Sequence, residues 1–124
     1  MHKLSRLLLL LAVGLLAACT SNPPSADNFA LAERAIAEAE AAGAEELAPT
    51  DLRFARERLQ TARTASDQRN YALAFDDLER AEINAMLALE KSRAAAQRRK
   101  VNELRRANEA LRADLVDTYG EDWQ

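Results

Sequence analysis

The chain has a single cysteine, Cys19, and a single histidine, His2, in 124 residues. Side chains able to act as a thiol nucleophile, a soft metal ligand or a neutral-pH base are therefore confined to its first 19 positions. Cys19 stands directly behind residues 7–18, twelve apolar or small residues in an unbroken run, and Lys3 and Arg6 precede that run. A helix crossing the hydrocarbon core of a bilayer needs about 20 apolar residues, so the run is too short to span comfortably. Basic start, apolar stretch and small residues follow one another in the order of a secretory signal. Ala17 and Ala18 would present almost nothing to clash with a signal peptidase, and Cys19 would become the new first residue. His2 would leave with the signal, so residues 19–124 hold no histidine and only one thiol. Histidine acid-base catalysis, Cys/His metal centres and Ser-His-Asp triads are then unavailable within one chain. The carboxylates that remain are strewn along stretches of helical pattern with no glycine-rich loop beside them. No catalytic residue, metal ligand or bound cofactor is assigned.

Leu16-Ala17-Ala18-Cys19 resembles the lipobox of bacterial lipoproteins. The resemblance implies cleavage before Cys19, a thioether from its sulfur to a diacylglycerol, and an acyl group on its new amino terminus. One acyl chain holds a protein to a membrane only marginally, whereas two or more hold it stably. Lipoproteins of this kind with Asp after the cysteine tend to stay at the inner membrane, and Thr20 holds that place here. The resemblance thus favours the outer membrane, with the protein facing the periplasm, over the inner membrane. An ordinary signal peptide with a chance cysteine at its end is the plainer alternative.

The whole chain carries 17 Lys and Arg against 20 Asp and Glu, and loss of Lys3 and Arg6 would leave 15 against 20. The total conceals a segregation. Residues 27–90 hold seven basic and fourteen acidic side chains, whereas residues 91–112 hold eight basic and only two acidic ones. A basic helical segment can contact anionic lipid headgroups, lipopolysaccharide phosphates or an acidic partner. Arg98, Arg99, Lys100, Arg105 and Arg106 are its candidate anion-binding residues, and a merely solvated face is the alternative. Nucleic acid is not expected as a partner for an exported chain.

Residues 19–27 combine two prolines with small polar residues and read as a tether. Phe29, Ala32, Ile36 and Ala39 recur at spacings of three and four, predicting a helix over about 28–42. Gly43 can end it in a left-handed conformation, and Pro49 suits the first turn of a second helix, about 49–66. Leu52, Ala55, Leu59, Ala62 and Ser66 form the stripe of that helix, with Phe54 and Ala65 widening it. From Thr50 to Tyr119 there is neither glycine nor proline, and only "SDQRN" at 66–70 interrupts with turn-favouring residues. Asn70 can cap a third helix over about 71–118, roughly 70 Å long at 1.5 Å per residue. Gly120 and Trp123 belong to a short tail, 119–124.

The first two helices can cover only the first half of the third. In that half Tyr71, Ala74, Phe75, Leu78, Ala81, Ala85 and Leu89 face one way, with Ile83 and Met86 nearby, a pattern that predicts burial on two sides. Beyond it Val101, Leu104, Asn108, Leu111 and Leu115 keep the three-four alternation of a coiled-coil seam, with Asn108 at a core position. These five are the candidate partner-binding residues. Self-association is one use of such a seam, although a parallel dimer would set Lys100 near Arg105 of its mate and an antiparallel one could bring arginines together. A different envelope protein is the other, and packing on its own domain or exposure to solvent is the bland alternative.

The run Ala48-Pro49 followed by Leu52, Ala55, Leu59 and Ala62, then Tyr71, Ala74, Leu78, Ala81, Ala85 and Ala88, resembles the small helical envelope lipoproteins of the domain of unknown function 4398 family. The likeness covers roughly residues 27–115 and departs from the family at the turn, where Arg69-Asn70 stands in place of the usual Gly-Asp. Some members carry a peptidoglycan-binding domain after the helices, and no such site is carried over here. The expected fold is all-α, a helical hairpin or three-helix arrangement with a long final helix. The expected role is that of a non-catalytic structural or interaction component of the envelope, with direct binding of anionic envelope material through residues 91–112 as the alternative.

Overall fold

The computed structural model describes residues 22–120. The signal segment 1–18 with Leu16, Ala17 and Ala18, the lipidation candidate Cys19, and Trp123 in the tail lie outside the described residues. Those described are all-α, in the order α1 (Ala26–Ala41), α2 (Ala44–Leu47), α3 (Pro49–Asp67) and α4 (Tyr71–Tyr119).

The starts and stops follow local chemistry. The Ser25 backbone N–H donates to Asn28 Oδ1 at 2.9 Å, satisfying a donor that a helix start would otherwise leave open, and Asp27 in the first turn complements the helix dipole. Ala26 and Asp27 are therefore helical, two residues earlier than the expected start at Asn28. Gly43 takes the left-handed conformation at φ +81° as expected, and its N–H donates to the Glu40 carbonyl at 2.9 Å. The short α2 that follows was not foreseen. It fits because the Gly43 carbonyl accepts from both Glu46 and Leu47 N–H at 3.1 Å, closing one turn before Pro49 takes the first position of α3.

The α3–α4 turn completes a Schellman motif. Asn70 N–H donates to the Ala65 carbonyl at 2.8 Å and Arg69 N–H to the Ser66 carbonyl at 2.9 Å. Such a turn needs a left-handed residue before the last donor, and Arg69 supplies it at φ +59°. A side chain at that conformation costs about 1–2 kcal/mol. Asn70 then caps α4 as expected, its side chain accepting from Leu73 N–H at 3.4 Å.

Helix α4 is the spine. It packs chiefly on α3 and next on α1, which touch each other less. Its buried stripe runs Ala74, Leu78, Ala81, Ala85, Ala88 and Ser92, and eleven of the sixteen buried apolar residues among those described are alanine. Small side chains let the helices approach closely but bury little area each, so stability rests on fit more than on area. The expected burial of α4 on two sides is incorrect: Phe75, Ile83 and Met86 are 43%, 55% and 59% exposed. Phe54 likewise stands at the surface, where the Arg53 guanidinium lies 4.9 Å from its ring centroid. Ser66 is half-buried at the edge of the α3 stripe, and Ala65 takes the core place beside it.

Candidate functional site

The candidate site is the distal half of α4, and it exists because the core stripe ends. That stripe steps by four and three from Ala74 through Ser92 to a half-buried Ala95. Carried further, the same spacing falls on Arg99, Asn102, Arg106 and Glu109, so the face that packs against α1 and α3 turns hydrophilic. From residue 96 to residue 114 every side chain is exposed. The seam residues lie on the other side of the helix, displaced by two residues, or about 200°, from the extrapolated core stripe.

Val101, Leu104 and Leu111 are 61%, 54% and 57% exposed. Asn108 is exposed between them and Leu115 is half-buried. Val101, Leu104 and Asn108 share a shallow groove with Arg105, Glu109 and Arg112. The seam thus lies in solvent, and packing on its own domain is excluded for its first four members.

Two ion pairs fix where α4 leaves the domain. Lys91 Nζ donates to Asp51 Oδ1 and Oδ2 at 2.9 and 2.8 Å, and Arg99 donates to Glu46 of α2 at 2.8 Å. Arg99 is therefore engaged with the chain's own acid, and α2, the turn not foreseen, is what carries that acid to it. The other anion candidates do not converge. Arg98 and Arg105 flank one edge of the seam and Lys100 the other, while Arg106 lies with Arg99 on the opposite face. Arg105 reaches Asn102 Oδ1 at 3.4 Å. Among the described residues no salt bridge involves Arg98, Lys100, Arg105, Arg106 or Arg112.

Acid-base pairs elsewhere hold helices together. Arg56 donates to Glu40 at 2.6 Å and to Glu45, and these hydrogen bonds, the one to Glu45 first and the one to Glu40 second, raise its pKa above the usual arginine value. The guanidinium is charged at every physiological pH in any case, so this pair is a staple and carries no switch. Arg63 donates to Glu33 at 2.6 Å across α1 and α3. The pair that sequence reading missed is Arg58 to Asp77, at 2.9 Å between α3 and α4. Asp77 is fully buried while the Arg58 side chain is 43% exposed, and Asp77 Oδ2 has no hydrogen-bond partner among the described residues. The pair ties the buried face of α4 to the surface edge of α3. The available signal was the place of Asp77, three residues after Ala74 and four before Ala81 on the stripe that the helix buries.

Among the described residues no three His, Cys, Asp or Glu side chains gather in a way that could hold a metal ion. No helix among them is long and apolar enough to cross a membrane. The family model DUF4398, a domain of unknown function, matches residues 27–104. No curated protein and no solved structure matches the chain.

Proposed function

Since the chain belongs to the DUF4398 family, whose name assigns no activity, we propose from its own residues that it is a lipid-anchored, periplasm-facing helical component of the bacterial envelope. It acts without catalysis, as a structural or interaction element. Cys19 carries the diacylglycerol and N-acyl lipid, residues 20–25 are the tether, and the α1–α4 body presents the distal half of α4. The periplasmic leaflet of the outer membrane is its location, from Thr20 after the cysteine.

The observation that carries the interaction reading is the exposed seam on a helix that outruns its domain. Folding gains nothing from keeping Val101, Leu104 and Leu111 in water, and an apolar stripe rimmed by charge marks an interaction surface. The anchoring half is tested by metabolic labelling with palmitate and by fractionation. Label and membrane association are expected for the natural chain and lost in Cys19→Ala; a soluble, unlabelled natural chain would overturn anchoring.

The second reading, direct binding of anionic envelope material through residues 91–112, is favoured by the exposed Arg98, Lys100, Arg105 and Arg106. Their spread around the helix and the engagement of Arg99 with Glu46 weigh against a single binding face. Binding to anionic vesicles that falls steeply between low and high salt would favour it, since exposed charges are screened within about 10 Å at 0.1 M salt.

A further inference from the structure

We infer that the seam of α4 takes one acidic amphipathic helix of another protein, in a two-stranded coiled coil. The inference deepens the interaction reading above and rests on it for the compartment in which the partner is met.

The geometry sets the kind of partner. With Val101 at position a of the heptad, Leu104 falls at d, Asn108 at a, Leu111 at d and Leu115 at a. The Val101–Leu104 pair, a β-branched residue at a with leucine at d, suits two strands more than three or four, and one asparagine at a fixes register at some cost in stability. The same register runs backward through Gln97, Ala94 and Glu90 before it meets the exposed Leu87 and Ile83, so the apolar seam proper is Val101 to Leu115, roughly 21 Å long at 1.5 Å per residue.

Charge then chooses between a second copy and a different chain. The positions flanking the seam are e, held by Arg98, Arg105 and Arg112, and g, held by Lys100, Ala107 and Asp114. A parallel second copy would face Lys100 with Arg105. An antiparallel one sets e positions against e positions, and here every one of these is arginine. Like charges so placed cost stability and act against the wrong partner. The domain's own acids reach only as far as Lys91 and Arg99, leaving Arg98, Lys100, Arg105 and Arg112 in no salt bridge among the described residues. Glutamate or aspartate at the partner's e and g positions would pair with these four, and a polar residue in the layer facing Asn108 would satisfy its amide.

The test places a photo-crosslinking residue at Leu104, and separately at Leu111, in the full chain expressed in its own cells. The crosslinked peptides are then sequenced. The expected capture at both positions is one segment of one other protein, apolar at heptad spacing and acidic at its flanks. The combined change Arg98→Glu, Lys100→Glu, Arg105→Glu and Arg112→Glu should lower that capture at least tenfold while circular dichroism shows the helices intact. Capture of the chain's own seam would overturn the inference in favour of self-assembly. Capture of lipid or polysaccharide alone, of no segment, or of the same segment undiminished by charge reversal would overturn it as well. Palmitate labelling of the same cells reads the anchoring proposal separately, so a lipidated chain that captures only itself fails this inference and leaves that one standing.

Discussion

The two halves of α4 reverse the ordinary placement of large and small apolar residues. The proximal half buries Ala74, Ala81, Ala85 and Ala88, whereas the distal half leaves Val101, Leu104 and Leu111 in water. A core built of alanine has almost no spare volume, because each helix approaches its neighbour to the limit of a methyl group. An exposed stripe of valine and leucine has no partner among the described residues. Folding thus depends on fit in one half, and the other half is available to association because folding does not use it.

The comparison breaks hardest at the core. Ala81→Leu would push a larger side chain into the interior between α4 and its neighbours, where Ala81 is fully buried. Overpacking of this kind costs about 1–3 kcal/mol and occasionally more. We place it at about 3 kcal/mol, read as a lowered urea midpoint. An unchanged midpoint would mean that the helices are less closely set than described.

The ion pair between Arg58 and Asp77 gives the next effect, and its two ends differ. Arg58→Met would leave a fully buried carboxylate with no cation and one oxygen already without a partner; the loss should be about 2–3 kcal/mol. Asp77→Asn leaves Arg58, whose side chain is 43% exposed, to be solvated by water, and should cost nearer 1 kcal/mol. Equal losses at the two ends would show that the cost lies in the contact itself and not in stranding the buried charge. At the turn the sign reverses. Arg69 holds the left-handed conformation that glycine adopts without strain, so Arg69→Gly should raise stability by about 0.5–1 kcal/mol once the added freedom of the unfolded chain is subtracted. A loss instead would mean that the arginine side chain contributes more than its backbone strain removes.

The punctuation of the fold was legible in the residues. Gly43, Pro49 and Asn70 stand where helices stop and start, and the length of the last helix against its partners already required a projecting end. The start at Ala26 was misjudged because a capping box closed by an asparagine side chain is a weaker signal than the prolines before it. The outer face of the proximal half was misjudged for a different reason. Periodicity is ordinarily weighted toward large apolar residues, which drew Phe54, Phe75, Ile83 and Met86 inward, whereas here alanine marks the interior and several large residues stay outside. The meaning of Asp77 was hidden too, since beside Asp76, Glu79 and Arg80 it reads as one more surface charge until Arg58 is seen across the helix pair. The exposure of Val101, Leu104, Asn108 and Leu111 follows from the length of α4 against its partners, since beyond residue 96 no helix is left to cover them.

The smallest effect on stability carries the sharpest form of the comparison. Leu104→Glu and Leu111→Glu each replace an exposed side chain on a segment that touches neither α1 nor α3. Surface changes away from any packed feature usually fall within about 0.5 kcal/mol, and glutamate is nearly as good a helix former as leucine. The urea midpoint should therefore stay where it is. Association through the seam should not, because the same change sets a carboxylate into the middle of an apolar stripe and, against a partner acidic at its flanks, adds repulsion to lost burial. A midpoint that falls by more than about 1 kcal/mol would mean that the distal half packs in the folded chain and that folding already uses the seam. A steady midpoint with undiminished crosslinking from Leu87, two heptads before Val101 in the same register, would confine the contact to the proximal half. A steady midpoint with crosslinking lost along the whole stripe would separate what holds α4 in its domain from what α4 is there to hold.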